Sequence, residues 1–252
     1  MSGHSKWASI KRKKAATDAK RGQMFTKLAR AITVAAREGG PDPDANFTLA
    51  AAVEKARGYS MPKDNIQRAI DRGAGVGGGA SEIERVVYEG YGPGGAAIMV
   101  EALTNNRNRA GAEVRHAFDK HGGSLGEPGS VAWQFERKGV VLVDAQRYAE
   151  EDMLAAIDAG ADDVAAEGDL LKVTTEPANL GAVREALAGG GVEVQSAELR
   201  MESKAAVEVG AEAEARALLR LIDALDEHDD VEAVYANFDI PETLLEAVEA
   251  AA

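Results

Sequence analysis

No cysteine occurs among the 252 residues, which removes disulfides, thiolate metal sites and cysteine nucleophiles together. Aromatic residues are scarce at 5 %, and there are four histidines. No uninterrupted apolar run approaches the ~18 residues of a membrane span. The opening residues lack the apolar stretch of a secretory signal, so the expectation is a soluble cytoplasmic protein without membrane attachment. What remains is a globular composition, 45 % apolar and 28 % charged, long enough for more than one compact domain.

Catalytic patterns are also missing. His116 and His121 stand five apart, poorly aligned on a helix, and His4 and His228 lie far off in sequence, so no zincin signature is present. Gly92–Gly95 is glycine-rich but lacks the Lys-Ser/Thr that completes a phosphate-cradling loop, and it reads as a hairpin turn. The Gly122–Gly126 run has no G-x-G-x-x-G pattern. Asp162-Asp163 and Asp229-Asp230 could hold Mg²⁺, or could be solvated acids at a helix-to-strand corner. The expectation is a non-enzymatic protein with no cofactor and no metal.

Net charge is −13, which alone argues against a polyanionic partner. Its distribution reverses that argument. Residues 1–80 hold 15 Lys/Arg against 7 Asp/Glu, residues 81–138 hold 7 against 8, and residues 139–252 hold 7 against 27. Such a chain presents one anion-attracting end and one anion-repelling end.

The basic end reads as all-helical. Between Arg21 and Arg37, Met24, Phe25, Leu28, Ile32 and Ala35 recur at helical spacing, with Lys20, Lys27, Arg30 and Arg37 forming a stripe beside them. Gly39-Gly40 and Pro41 end this helix. Asn46 caps a second that stops at Gly58, and Pro62 opens a third that closes at Gly73. Gly73–Gly79 is a flexible linker. Beyond it the pattern turns mixed: strands at 84–91 and 96–104, a helix over 107–121 capped by Asn106, and a strand at 130–136. Strand 139–144, helix 147–159, strands 162–167 and 169–175, helix 179–189 and strand 192–201 then spell the β-α-β-β-α-β order of a ferredoxin-like unit. A strand at 205–209, a helix at 211–227 and a strand at 231–238 follow, and residues 205–240 are expected to complete the earlier sheet.

The resulting expectation is an α+β chain: a basic helical domain (1–79), a discontinuous α/β domain (80–136 plus 204–240), an inserted ferredoxin-like domain (137–203) and a tail (241–252). A monomer is favoured.

The candidate contact residues are cationic. Lys6, Lys11, Arg12, Lys13, Lys14, Lys20 and Arg21 place seven charges in sixteen residues, with Trp7 among them. Lysine and arginine displace condensed counterions from phosphates, and an exposed Trp can stack on an unpaired base. The bland alternative is a solubilising arm with Trp7 tucked against the helical core. Lys27 and Arg30 extend the basic stripe. Arg107, Arg109 and Arg115 begin at a helix N-terminus, where N–H groups and the dipole favour anions, and Lys63 and Arg68 sit on the third helix. No helix-turn-helix with a polar recognition helix is evident, which tilts the mechanism toward RNA or shape reading.

At this point the chain resembles the YebC/PmpR family over nearly its full length. The resemblance rests on Gly3–Trp7 with Ile10-Lys11, Lys14, Asp18 and Arg21-Gly22, on Phe25–Leu28, Gly39–Pro43, Met61–Ile66 and Arg68–Ile70, and on Tyr88–Gly95, Leu103–Arg109 and Gly122–Gly126. Asn105 stands where many relatives are expected to carry an acid. The resemblance implies a helical domain with two ferredoxin-like domains, one inserted in the other, and a regulator without an active site. It implies DNA-binding transcriptional regulation or, as the alternative, ribosome-bound translation control that relieves stalling on proline-rich peptides. A protein-interaction module using the acidic domains is the rival of a different class.

Overall fold

The computed structural model describes residues 18–76 and 83–250. These divide into two compact units, residues 18–76 and 83–132 with 213–236, and residues 133–212 with 237–250. The architecture is α+β: a three-helix N-terminal region followed by two mixed α/β sheet domains.

In the first unit, α1 (Asp18–Gly39), α2 (Phe47–Gly58) and α3 (Lys63–Gly73) share one core. Leu28, Ile32 and Ala35 of α1 meet Leu49, Val53 and Ala56 of α2 and Ile66, Ala69 and Ile70 of α3. The apolar stripe on α1 thus buries as its spacing requires. Asn46 caps α2: its Oδ1 accepts the Leu49 N–H at 3.1 Å while its amide donates to the Ala35 and Gly40 carbonyls, each at 2.8 Å. One side chain thereby satisfies orphan groups at the end of one helix and the start of the next. Pro62 sits at the N-cap of α3, one residue before the expected first turn.

The sheet of this unit contains β1 (Glu84–Tyr91), β2 (Ala97–Thr104), the short β3 (Ser124–Leu125) and β9 (Val231–Ala236), in the order β3-β1-β2-β9 and antiparallel throughout. Helix α4 (Arg107–Lys120) buries Ala110, Val114 and Phe118, and Asn106 caps it through the Arg109 N–H at 3.1 Å. The Phe118 ring fits against the sheet because position 90 is glycine: a Cβ there would stand 2.7 Å from a ring carbon. Helix α7 (Glu212–Asp226) buries Leu218, Leu221 and Leu225, and Leu218 closes on Gly92.

In the second unit, β4 (Phe135–Asp144), α5 (Leu154–Asp158), β5 (Ala161–Glu167), β6 (Leu170–Thr175), α6 (Leu180–Gly189) and β7 (Val194–Ser203) follow the expected order. The sheet order β5-β6-β4-β7, antiparallel at each pairing, is the ferredoxin-like arrangement.

Four local expectations change. The strands expected at 130–136 and 139–144 are one strand, β4, preceded by a 3₁₀ turn at Ala132–Gln134. The cause is Glu89, whose carboxylate accepts the N–H groups of Gly129 (2.7 Å), Val131 (2.8 Å) and Ala132 (2.8 Å) and so withholds them from any ladder. The helix expected over 147–159 shrinks to a 3₁₀ turn, Glu150–Met153, leading into the single turn of α5. There Asp152 accepts the Ala149 N–H at 2.8 Å and starts the helix late. Strand 205–209 does not join the first sheet: β8 (Val207–Glu208) pairs in parallel with β10 (Phe238–Asp239). The stretch read as a tail forms α8 (Glu242–Ala250), which begins after Pro241 and buries Leu245 and Val248, one turn apart.

Candidate nucleic-acid interface

Among the described side chains of the basic stripe on α1, Lys27, Arg30 and Arg37 each reach an internal acceptor. Lys27 donates its ammonium to the carbonyl of Asp226, the last residue of α7, where the helix dipole favours a cation. Arg37 donates to the Ile83 carbonyl at 2.7 Å. Arg30 donates to the Asp229 carbonyl at 2.8 Å and to Asp230 Oδ1 at 2.5 Å. The other Asp230 oxygen accepts from the Thr104 hydroxyl at 2.8 Å and from Arg109. The Asp230 side chain is only 1 % exposed, so a buried carboxylate gathers one guanidinium from α1 and one from α4.

Burial by itself would raise the Asp230 carboxyl, but the Thr104 and Arg109 hydrogen bonds and the charges of Arg30 and Arg109 hold it below the ordinary carboxylate range. Hydrogen bonding to Asp230 raises Arg109 in turn. The network continues outward. The Asp230 N–H donates to His228 Nδ1 at 3.1 Å, which leaves Nε2 to carry the ring proton toward Glu113 Oε2 at 2.8 Å. Arginines therefore occupy the Asp230 carboxylate, while Asp229 meets Arg30 through its backbone carbonyl.

Four other candidate cations face solvent. Arg107 and Arg115 are exposed on α4 and line a groove of about 560 Å³ with Tyr88 and His116, between the helix and residues 125–128. The Tyr88 hydroxyl donates to the Arg107 carbonyl at 3.2 Å. Burial raises the Tyr88 phenol, partly countered by the Arg107 charge. Glu89 also lines the groove, with its carboxylate committed to three backbone N–H groups. Lys63 and Arg68 are exposed on α3 beside Gln67 and Arg72, and the Arg68 guanidinium bonds to the Asn65 side chain. Helices α2 and α3 are joined by residues 59–62 alone, a connection of helix-turn-helix length, although the sequence shows no helix-turn-helix with a polar recognition helix.

Lys6, Trp7, Lys11, Arg12, Lys13 and Lys14 lie outside the described residues, as do the side chains of Lys20 and Arg21. The sequence reading missed Thr104 and the joining role of Asp230, and weighed His116 only as a metal ligand. The signal for Asp230 is the acidic pair at a helix-to-strand corner, which the sequence alone reads as a Mg²⁺ site or as solvated acids.

Comparison with known proteins decides the relationship. Residues 5–76 match the TACO1/YebC protein N-terminal domain, and residues 83–238 match the TACO1/YebC second and third domain. The chain belongs to the TACO1/YebC family. A relative from Rubrobacter xylanophilus, named a probable transcriptional regulatory protein, is 59 % identical over 98 % of this chain and 99 % of its own. One of the same name from Acidothermus cellulolyticus is 51 % identical over 98 % of this chain and 100 % of its own. The crystal structure of a conserved hypothetical protein from Aquifex aeolicus superposes with a TM-score of 0.84 at 46 % identity, covering 91 % of this chain and 94 % of that one. These curated TACO1/YebC relatives bear a regulator's name and not an enzyme's, as the missing catalytic patterns led one to expect. Among the described residues no helix is long and apolar enough to cross a membrane.

Proposed function

We propose that this TACO1/YebC chain is a non-enzymatic, DNA-binding transcriptional regulator acting in the cytoplasm. It would hold phosphates with Lys63 and Arg68 on α3, Arg107 and Arg115 on α4, and the basic segment Lys6–Arg21. One observation carries the reading: within one unit the cations fall into two sets. Lys27, Arg30 and Arg109 are spent on internal acceptors, while Lys63, Arg68, Arg107 and Arg115 stand in water. Solvent-facing cations release counterions on meeting a polyanion, which drives association and makes it salt-dependent. The exposed face of α3 adds Gln67 and Arg72, side-chain types that also read base edges. Lys27 acts as a positioning residue that ties α1 to the end of α7, and Arg30 and Arg109 as ones that tie α1 and α4 to Asp230 beside β9.

Ribosomal RNA offers the same phosphates, and the groove beside α4, with Tyr88 and His116 next to two arginines, suits an unstacked base. The test measures binding of the full chain to promoter DNA and to ribosomes as salt is varied, followed by footprinting on DNA and DNase-resistant co-sedimentation with ribosomes. Promoter footprints lost in K63E/R68E support the DNA reading. Co-sedimentation lost in R107E/R115E, with no footprint, supports the ribosomal one. Binding to neither sinks both and leaves the acidic interaction module.

A further inference from the structure

We propose that β7 is the contact edge of a two-fold dimer, in which a second copy of this chain pairs antiparallel to it and joins two ferredoxin-like sheets into one of eight strands. β7 is an edge strand, paired to β4 alone among the described residues. The two edges of this sheet differ. β5, at the far side, is blunted by Asp162, Asp163 and Glu167 and by an irregularity at Ala161/Asp163. Acids and bulges of this kind discourage strand addition. β7 runs ten residues without proline or lysine, its charges Glu198, Arg200 and Glu202 alternate in sign where those of β5 are all acidic, and its irregularity lies at its very start, opposite Leu142/Val143. Long, regular, unprotected edges are where another strand adds.

The register follows from the ladder. The Lys204 N–H donates to the Gln134 carbonyl at 2.9 Å, so even-numbered β7 residues turn their N–H and C=O groups toward β4. Ala197, Leu199, Met201 and Ser203 then direct theirs to the open edge. An antiparallel two-fold pairing of these odd positions centred on Leu199 sets Leu199 against its own copy and Ala197 against Met201. All three are half-buried apolar residues on the face that carries α6, whose Leu180 closes on Gly139 of β4. On the opposite face the same register places Glu198 across from the partner copy's Arg200, twice over by symmetry. Arg200 already meets Glu198 of its own strand at 3.0 Å, so four charges of alternating sign would form around the axis. One register thus matches hydrogen-bond phase, apolar contact and charge, the self-complementarity an isologous interface requires.

Sedimentation equilibrium of the full chain across a wide concentration range tests this. The wild type should shift from monomer to dimer as concentration rises. A197P removes an N–H that β4 does not use and should leave a folded monomer, with secondary structure checked by circular dichroism. R200E or E198R alone should weaken the dimer about tenfold, because like charges then face each other. E198R/R200E should restore it, an outcome that misfolding does not produce. A wild type that stays monomeric at every concentration, or single charge reversals that dimerise like the wild type, overturns the proposal.

Discussion

The Arg30 guanidinium of α1 lies 2.5 Å from the buried carboxylate of Asp230, a residue 200 positions later in the chain. This pair, with Arg109 and Thr104, fastens the helical region to the first sheet. A carboxylate removed from water persists only when its oxygens are answered, and here each oxygen receives a cationic donor.

Asp230→Ala leaves Arg30 and Arg109 facing a cavity without their acceptor. Breaking a fully buried pair costs about 3–5 kcal/mol, and partial solvent access to both arginines lowers the expectation to about 2 kcal/mol. Urea denaturation should show a lower midpoint with little change in slope.

Acid should loosen the first unit. Burial would raise Glu89, yet hydrogen bonds from the Gly129, Val131 and Ala132 N–H groups hold it below its ordinary value, and Asp230 is held low as well. Both contributions are fully present above the unfolded carboxylate range of about 4 and fade as pH falls through the lowered folded values. Glu89→Gln should cost about 2 kcal/mol at neutral pH. The gap from wild type should narrow near pH 3, as melts at several pH values would show.

The two classes of cation separate in binding assays. Arg107→Ala and Arg115→Ala should each reduce the slope of log affinity against log salt by about one, with unfolding midpoints nearly unchanged. Arg30→Ala should lower the midpoint and leave that slope intact. A salt slope that drops with Arg30→Ala would show α1 meeting the polyanion directly.

Gly73→Ala probes the crossing of α1 and α3. An added Cβ would stand 2.3 Å from the Thr33 carbonyl oxygen and 2.7 Å from the Ala36 Cβ. Backbone on one side cannot yield cheaply, so destabilisation of about 1–3 kcal/mol is expected in the same urea assay.

Much of the architecture was legible because its signals are local. Asn46 and Asn106 announce their helices through caps three residues long. The β-α-β-β-α-β order of the second unit follows from periodicity and glycine turns such as Gly160 and Gly168, both with positive φ. The 3₁₀ turn before β4 was illegible because its cause, Glu89, is 40 or more residues away. The candidate site divides in the same way. Clustered cations can be counted along the chain, but which of them meets a carboxylate depends on partners up to 200 positions distant.

By itself, then, the order of residues settled the helix caps, the strand alternation, the α+β class and the gathering of positive charge toward one end, since each depends on neighbours within a turn or two. Only the tertiary structure decided that Lys27, Arg30 and the part-exposed Arg109 meet internal acceptors while Lys63, Arg68, Arg107 and Arg115 face water. The physical reason is that a guanidinium has no intrinsic preference between phosphate and carboxylate. The anion that folding brings within reach determines what it does.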